Sequence, residues 1–304
     1  MTSRKELNET KHKKVLHENH KTNIKHYVVF IIKTIIVLSV ICTLLFLYIK
    51  NFSNVGIITY EERLKNEKIP NSFEGIKLIH YSDLYYGSTI RKKELSNLVK
   101  LINEKKPDIV VFTGNLIKKD YKLKNSEIEY IIKELQSIDV TIGKYAVNGR
   151  QDTDYFNTIM NESGFTILNN SYDVIYNEDT LPILITGLSS LTKKEREIEK
   201  AYTNPYQENG DIYKITIMNE TDDLDKVLEN YHSDIIFAGN SLNGQIRIPG
   251  IGGILRKKGS SKYIDRTYEI ENTKIYVSSG IGTDKINLRL FSRPSINFFR
   301  LGKK

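Results

Sequence analysis

Five polar stretches, each closing an apolar run, carry the side chains of this chain that could do chemistry. They are YSDLYYG from Tyr81, FTGNLIKKD from Phe112, AVNGRQD from Ala146, TIMNET from Thr216 and FAGNSLNGQ from Phe237. Asp83, Asp120 and Asp152, with Asp154 two residues past the third stretch, offer carboxylates that could hold a cation or move a proton. Arg150 offers a guanidinium suited to clamping an anion. Asn115, Gln151, Asn219 and Asn240 are neutral amides that donate and accept hydrogen bonds without titrating, the Tyr85 phenol is neutral near pH 7, and Leu242 has no donor atom at all. Histidine, the commonest general base and metal ligand, is nearly missing. Of six, His12, His17, His20 and His26 precede a long apolar run, leaving His80 and His232. His80 lies in a strand candidate three residues before Asp83, so alternation turns it to the opposite face. His232 stands at the wrong end of its strand. Both are expected to be structural or surface residues.

The elements that position these stretches follow from periodicity. IKLIHYS (76–82), DIVVFTG (108–114) and KYAVNG (144–149) read as strands, the second apolar throughout as in a parallel sheet covered on both faces. Between them KKELSNLVKLINEKK, SEIEYIIKELQSI and TDYFNTIMNESG show helical spacing, the last closed by Gly164. This alternation predicts an α/β layered domain with parallel strands. The second half is richer in strands: YDVIYN, PILITGL, IYKITIM, DIIFAG, GQIRIP, RTYEIENTKIYVSSG and SINFFRL, with Asn272 and Thr273 as the expected turn of a hairpin. In such sheets the working side chains lie just past the carboxyl ends of the strands, where the five polar stretches fall.

Taken in order, those stretches resemble the calcineurin-like metallophosphoesterases, in particular their bacterial membrane-anchored branch. The family pattern runs D-x-H, G-D, G-N-H-[DE], H and G-H-x-H-G-G-Q, each at a strand end. The likeness extends from IPNSFEGIKLIHYSDL to the last strand and includes GQIRIPGIGG and YVSSGIGT. It implies a layered β-sandwich flanked by helices, and two divalent metals that activate water and clamp a phosphate. Carried over residue by residue, Asp83 is kept, but its histidine partner is Tyr85 and the bridging Asp is Asn115. The next motif's ligand Asn is Arg150 and its catalytic His is Gln151, with Asp152 matching. The lone His falls on Asn219, and the final pair on Asn240 and Leu242. A neutral amide is a poor bridge between cations, Leu242 cannot coordinate, and Arg150 brings a fixed positive charge. The resemblance with these departures implies no metal cofactor and assigns no catalytic residue, Gln151 and Asp152 holding the family-equivalent positions. Arg150 and Asn240 remain candidate anion contacts. Arg150 could pair with Asp83 in place of the cations, or simply face solvent. The expected function is that of a pseudoenzyme acting by binding a phosphate-bearing ligand or an envelope protein. The alternatives are an active phosphoesterase with a site rebuilt from Asp83, Asp152, Asp120 and Arg150, and a purely structural envelope component.

Charge and hydropathy supply the setting. The net charge is +8 over 304 residues. Residues 1–26 hold seven basic and three acidic side chains, and the remainder is spread thinly, so nucleic acid is not an expected partner. Tyr27 to Ile49 is apolar save Lys33, long enough to span a bilayer, with Tyr27 and Tyr48 at interfacial positions. Lys33 lies close enough to one end to snorkel. The expected organisation is a basic cytoplasmic tail (1–26), a transmembrane helix (27–49), a neck (50–56) within a polar stretch reaching residue 75, and one domain (57–304) outside the cell. The only cysteine, Cys42, lies in the span, so the domain has no internal disulfide. The Lys-, Ile-, Asn- and Tyr-rich composition has a bacterial cast.

Overall fold

The computed structural model describes residues 4–52, 56–178, 181–192 and 197–304; residues 1–3 of the tail and 53–55 of the neck lie outside the described residues. The chain divides into two units, Met1–Phe52 and Ser53–Lys304.

The first unit is one helix, α1 (Arg4–Phe52). Its segment Ile24–Tyr48 is long and apolar enough to cross a membrane, at 25 residues, or ~37 Å of helix against a ~30 Å hydrocarbon core. Its two threonine hydroxyls are satisfied locally: Thr34 Oγ1 donates to Phe30 O (3.0 Å) and Thr43 Oγ1 to Ser39 O (2.8 Å). Such back-bonding removes a polar penalty that hydrocarbon would otherwise impose.

The second unit runs β1 (Ile58–Lys65), β2 (Lys77–Tyr81), α2 (Lys92–Glu104), β3 (Ile109–Phe112), α3 (Asn125–Gln136), β4 (Gly143–Ala146), α4 (Asp154–Glu162) and β5 (Thr166–Ile167). It continues with β6 (Ser171–Ile175), β7 (Ile183–Leu188), α5 (Ile198–Tyr202), β8 (Tyr213–Met218), α6 (Leu224–Asn230) and β9 (Ile235–Ala238). Last come β10 (Arg247–Ile248), β11 (Gly252–Gly253), β12 (Thr267–Ile270), β13 (Thr273–Val277) and β14 (Ser295–Gly302). Two six-stranded sheets form, in the orders β1-β14-β2-β3-β4-β5 and β12-β13-β9-β8-β7-β6. β2, β3, β4 and β5 are parallel, as are β7, β8, β9 and β13, with antiparallel pairs at β14/β2, β6/β7 and β12/β13.

Strand alternation sorts the side chains into three cores. Leu78, Ile109 and Val111 face inward and meet Ile215, Ile217 and Phe237 of the other sheet. Ile79, Tyr81, Val110 and Phe112 face outward against Leu95, Leu98 and Ile102 of α2 and against α3 and α4. Ile236, Ala238 and Val277 carry α5 and α6 on the opposite face. The result is the expected sandwich flanked by helices, an α/β architecture. α2 begins with Glu94 accepting from the Arg91 N–H (3.0 Å), and Gly164 at φ 77° closes α4.

Three details depart from the sequence reading. Residues 58–65, taken as part of a polar stretch, form an edge strand whose one buried residue, Leu64, is outnumbered by exposed Glu61, Glu62, Arg63 and Lys65. The hairpin turn is Glu271–Asn272, one residue earlier than expected, because Ile270 pairs with Thr273 and Glu271 takes the left-handed conformation (φ 53°). Helices α5 and α6, of five and seven residues, are too short to show a periodicity.

Candidate functional site

The site begins as a backbone arrangement. Where β2, β3 and β9 end, the chain turns through left-handed residues: Asp83 (φ 54°), Tyr85 (44°), Asn115 (58°), Asn240 (61°) and Leu242 (52°). Asp and Asn accept this conformation, whereas Tyr85 and Leu242 each carry a penalty of roughly 1–2 kcal/mol. Main-chain hydrogen bonds hold the turns together: Asp83 N–H to Gly114 O (2.7 Å) and Tyr85 N–H to Asn115 O (3.0 Å). Gly114 and Gly149 touch so closely that a Cβ on Gly114 would lie 2.4 Å from Gly149 N, which is why this crossing needs glycine on both sides.

Inside the turns lies a closed network of amides around one carboxylate. Asp83, Asn115, Asn219 and Asn240 are buried, as are Tyr85 and Leu242. Asp83 Oδ1 accepts from Asn115 Nδ2 (2.7 Å), and Oδ2 accepts from Ser82 Oγ and from Asn240 N–H (2.9 Å). Asn115 is the hub. Its Nδ2 also reaches Asn240 Oδ1 (3.3 Å) and Asn219 Oδ1 (3.4 Å), while its Oδ1 accepts from Gln151 N–H (3.0 Å). Asn219 Oδ1 accepts from Arg150 N–H (3.1 Å), and Asn240 Nδ2 donates to Lys258 O and Ser260 Oγ (both 3.1 Å). Burial pushes the Asp83 carboxyl upward, and the Lys257 charge and these hydrogen bonds pull back only part of that rise.

The charged groups sit otherwise than the sequence reading allowed. Arg150 does not pair with Asp83: its Nη1 lies 2.9 Å from Glu220 Oε1. Glu220, one residue past Asn219, is buried, and its other oxygen accepts from Leu191 N–H (2.8 Å); an isolated carboxylate there demands a cation. The ammonium that approaches Asp83 is Lys257, which donates to Tyr85 Oη, lies 4.5 Å from the Tyr85 ring centre and 3.2 Å from Asp284 Oδ2. Burial lowers the Lys257 pKa while Asp83 and Asp284 hold it up. Asp284 feels burial pushing upward, but Lys257 and the 3.0 Å bond from Gln151 Nε2 bring it below its ordinary value. Burial, then Asp83 and Asp284, drive the Tyr85 phenol well above the usual range, so it stays neutral. Arg289, fully buried beneath the site, donates to the carbonyls of Gly282, Ser279 and Ser292. Burial brings its pKa down to about 10, leaving it charged at neutral pH.

Lys257, Asp284, Glu220 and Arg289 were missed from the sequence because three of them sit on loops away from the motif positions. The basic run RKKGSSK after Leu255 was the one signal for Lys257. Asp152 is a brace: its carboxylate accepts from the N–H groups of Leu116 (2.7 Å), Asn115 (2.9 Å) and Gly149 (2.7 Å). Asp120 and Asp154 are exposed, in a turn and at the start of α4. His80 is fully buried between the sheets, 2.9 Å from Thr113 Oγ1 and against Phe237. His232 lies near Lys68 and Asp234, beside the start of β9. Leu242 packs against Gly280, whose Cβ would fall 2.5 Å from Leu242 Cδ2.

Outside the network opens a cavity of about 300 Å³. Arg150, Arg256, Lys257, Lys258 and Lys285 line it with a single carboxylate, Asp284. That preponderance of positive charge suits an anion.

No family model matches the chain. Individual proteins do. A Bacillus subtilis protein named uncharacterized metallophosphoesterase YkuE is 27% identical over 250 residues, covering 81% of this chain and 85% of the relative. Uncharacterized metallophosphoesterase Cj0846 of Campylobacter jejuni is 25% identical over 90% of this chain and 72% of its own length. A zebrafish (Danio rerio) transmembrane protein with metallophosphoesterase domain is 24% identical over 76% of this chain and 54% of its own. These matches overturn the expectation that no metal is used: the relatives are named metallophosphoesterases, and the fold they share implies divalent metals. The residues at this chain's strand ends do not fit a pair of such ions. Both Asp83 oxygens are engaged by donors, Tyr85 is neutral, Leu242 has no donor atom, and among the described residues no group of three His, Cys, Asp or Glu comes together to hold a metal.

Proposed function

This chain is a relative of the calcineurin-like metallophosphoesterases with one helix suited to membrane anchoring, and we propose that it is a binding protein on the phosphoesterase fold, not a hydrolase of the family type. One observation carries the reading: amides surround Asp83 where a metallophosphoesterase needs ligands, and they satisfy one another. Gln151 also stands where the family places its catalytic histidine. The cavity outside remains cationic, so the ligand class that fits is a phosphate-bearing anion, held by Arg256, Lys258 and Lys285 at the mouth.

The basic residues before the apolar segment put the N-terminus in the cytoplasm and the domain outside. In this reading the helix holds the domain at the cell surface.

A second reading has support from the relatives' names and from the Gln151–Asp284–Lys257 cluster facing the cavity: a hydrolase with a rebuilt site. One assay separates the two. The purified full chain, given bis(p-nitrophenyl) phosphate and p-nitrophenyl phosphate in Mn²⁺, is expected to release no nitrophenol above a mock preparation. Turnover that disappears in Asp83→Ala would sink the binding-protein reading in favour of the rebuilt hydrolase. Calorimetry of the full chain with inorganic pyrophosphate tests the anion site, and binding that weakens in Lys258→Glu is the expected result.

A further inference from the structure

The exposed aliphatic side chains of the second unit cluster. Among the described residues, its exposed large aliphatics are Leu181, Ile248, Ile251, Ile254 and Ile286. All but Leu181 lie on two adjacent segments, together with exposed Phe291. Ile248 and Ile251 flank the Pro249–Gly250 tip between β10 and β11, and Ile251 is 73% exposed. The hairpin is braced: Ile251 N–H donates to Ile248 O (3.0 Å) and Ile254 N–H to Ile246 O (2.8 Å). Loop 284–293 is fastened beside it, through Arg247 N–H to Leu290 O (2.8 Å) and Gln245 Nε2 to Ile286 O (2.7 Å). A tip held this firmly, with isoleucines pointing into water, has a surface to meet.

The charge around it identifies the surface. Arg256, Lys258 and Lys285 are exposed, and among the described residues none of them makes an ion pair. They border the same cavity to which Ile254 and Leu255 contribute apolar wall. Isoleucines and a phenylalanine at a tip, with unpaired cations behind them, match the two layers of an anionic bilayer: acyl chains first, phosphates above. Taking Ile24–Tyr48 as an anchor and the cavity as an anion site, as proposed above, we infer that this face docks on the membrane. The Ile248–Ile251 tip and Phe291 enter the interfacial layer, and Arg256, Lys258 and Lys285 receive the phosphate of an anionic lipid headgroup at the cavity mouth.

The chain has no tryptophan, so a single Ile251→Trp substitution reports on this tip alone, and Tyr155→Trp, exposed on α4, serves as the comparison. Each full-length variant is placed in nanodiscs of phosphatidylcholine, alone or with phosphatidylglycerol, whose acyl chains carry shallow bromines. In discs with phosphatidylglycerol, the Ile251→Trp emission is expected to shift to the blue and to be quenched about twofold more than that of Tyr155→Trp. Combining it with Arg256→Glu, Lys258→Glu and Lys285→Glu is expected to remove most of that excess, with the circular dichroism unchanged. Equal quenching at the two positions would overturn the docking face. Quenching indifferent to phosphatidylglycerol and to charge reversal would overturn the headgroup site. A blue shift without bromine quenching that grows with protein concentration would give the face to a second copy of the chain and overturn the membrane reading. Pyrophosphate binding in detergent with no Ile251→Trp quenching would refute docking while leaving the anion site standing; quenching without pyrophosphate binding would do the reverse.

Discussion

At the scale of single residues, Asn115 is where the site's character is decided. A carboxylate there would sit at 2.7 Å from Asp83 Oδ1 with no hydrogen between them, in a buried place already hostile to one charge. Asn115 supplies the hydrogen and so lets Asp83 remain. Asn115→Asp is therefore expected to lower the unfolding free energy of the full chain by about 2–4 kcal/mol at pH 7. The deficit should shrink at lower pH, where one proton is shared between the two acids. Urea denaturation at the two pH values measures both effects. An unchanged midpoint at pH 7 would mean that the amide is not the keystone of the network. This residue also marks what was legible beforehand. That Asn115, Asn219, Asn240 and Leu242 stand at strand ends could be read from the motif order. That Asn115 bonds to Asp83 and reaches both Asn219 and Asn240 could not, because the last two lie more than 100 positions away and meet it only when the two sheets close.

At the scale of elements, β2 shows how a strand distributes its residues between unlike environments. Alternation sends Ile79 and Tyr81 to the helices and Leu78 and His80 to the interior of the sandwich. The sequence reading placed His80 on the face away from Asp83, and it does lie in the dry layer, where burial lowers its pKa from 6.5 to about 3. Between those two values the unfolded chain holds a proton that the folded chain refuses. Stability from this group is thus complete above pH 6.5 and drains away as pH falls toward 3. From pH 7.5 to 5.0 the loss is about 2 kcal/mol. His80→Gln should flatten that part of the profile in chemical denaturation, whatever it does to the stability at pH 7.5. A profile of the same slope in the variant would assign the acid sensitivity elsewhere. The strands that escaped the sequence reading had the opposite problem. β1 carries Glu61, Glu62, Arg63 and Lys65 on an edge, and its place beside β14 is fixed by pairing with a segment more than 200 residues away, which no local pattern encodes.

At the scale of the whole molecule, charge before the apolar segment and apolar tips on the domain pose one question: which side of a membrane the domain occupies. Seven basic residues in the first 26, against three acidic, set the expected orientation. Protease added to intact cells should therefore remove the domain and leave a short protected fragment containing the apolar helix, whereas permeabilised cells should lose the tail as well. Protection of the domain in intact cells would reverse the orientation. A long apolar helix followed by a layered α/β domain could be read from hydropathy and periodicity, and the sandwich only from the family resemblance. The cationic cavity was not, because its walls come from residues 150, 256–258 and 285, brought together only by the closing of the loops.

The left-handed turns at Asp83, Tyr85, Asn115, Asn240 and Leu242 have one more consequence. Bonds such as Asp83 N–H to Gly114 O join main chain to main chain, so part of the mould is independent of the side chains it presents. Such a frame can lose its original fittings one at a time and keep its shape, and it can be refitted the same way. On the reading proposed above, the binding form and any re-engineered hydrolase would then be neighbours, a few codons apart on a common casting.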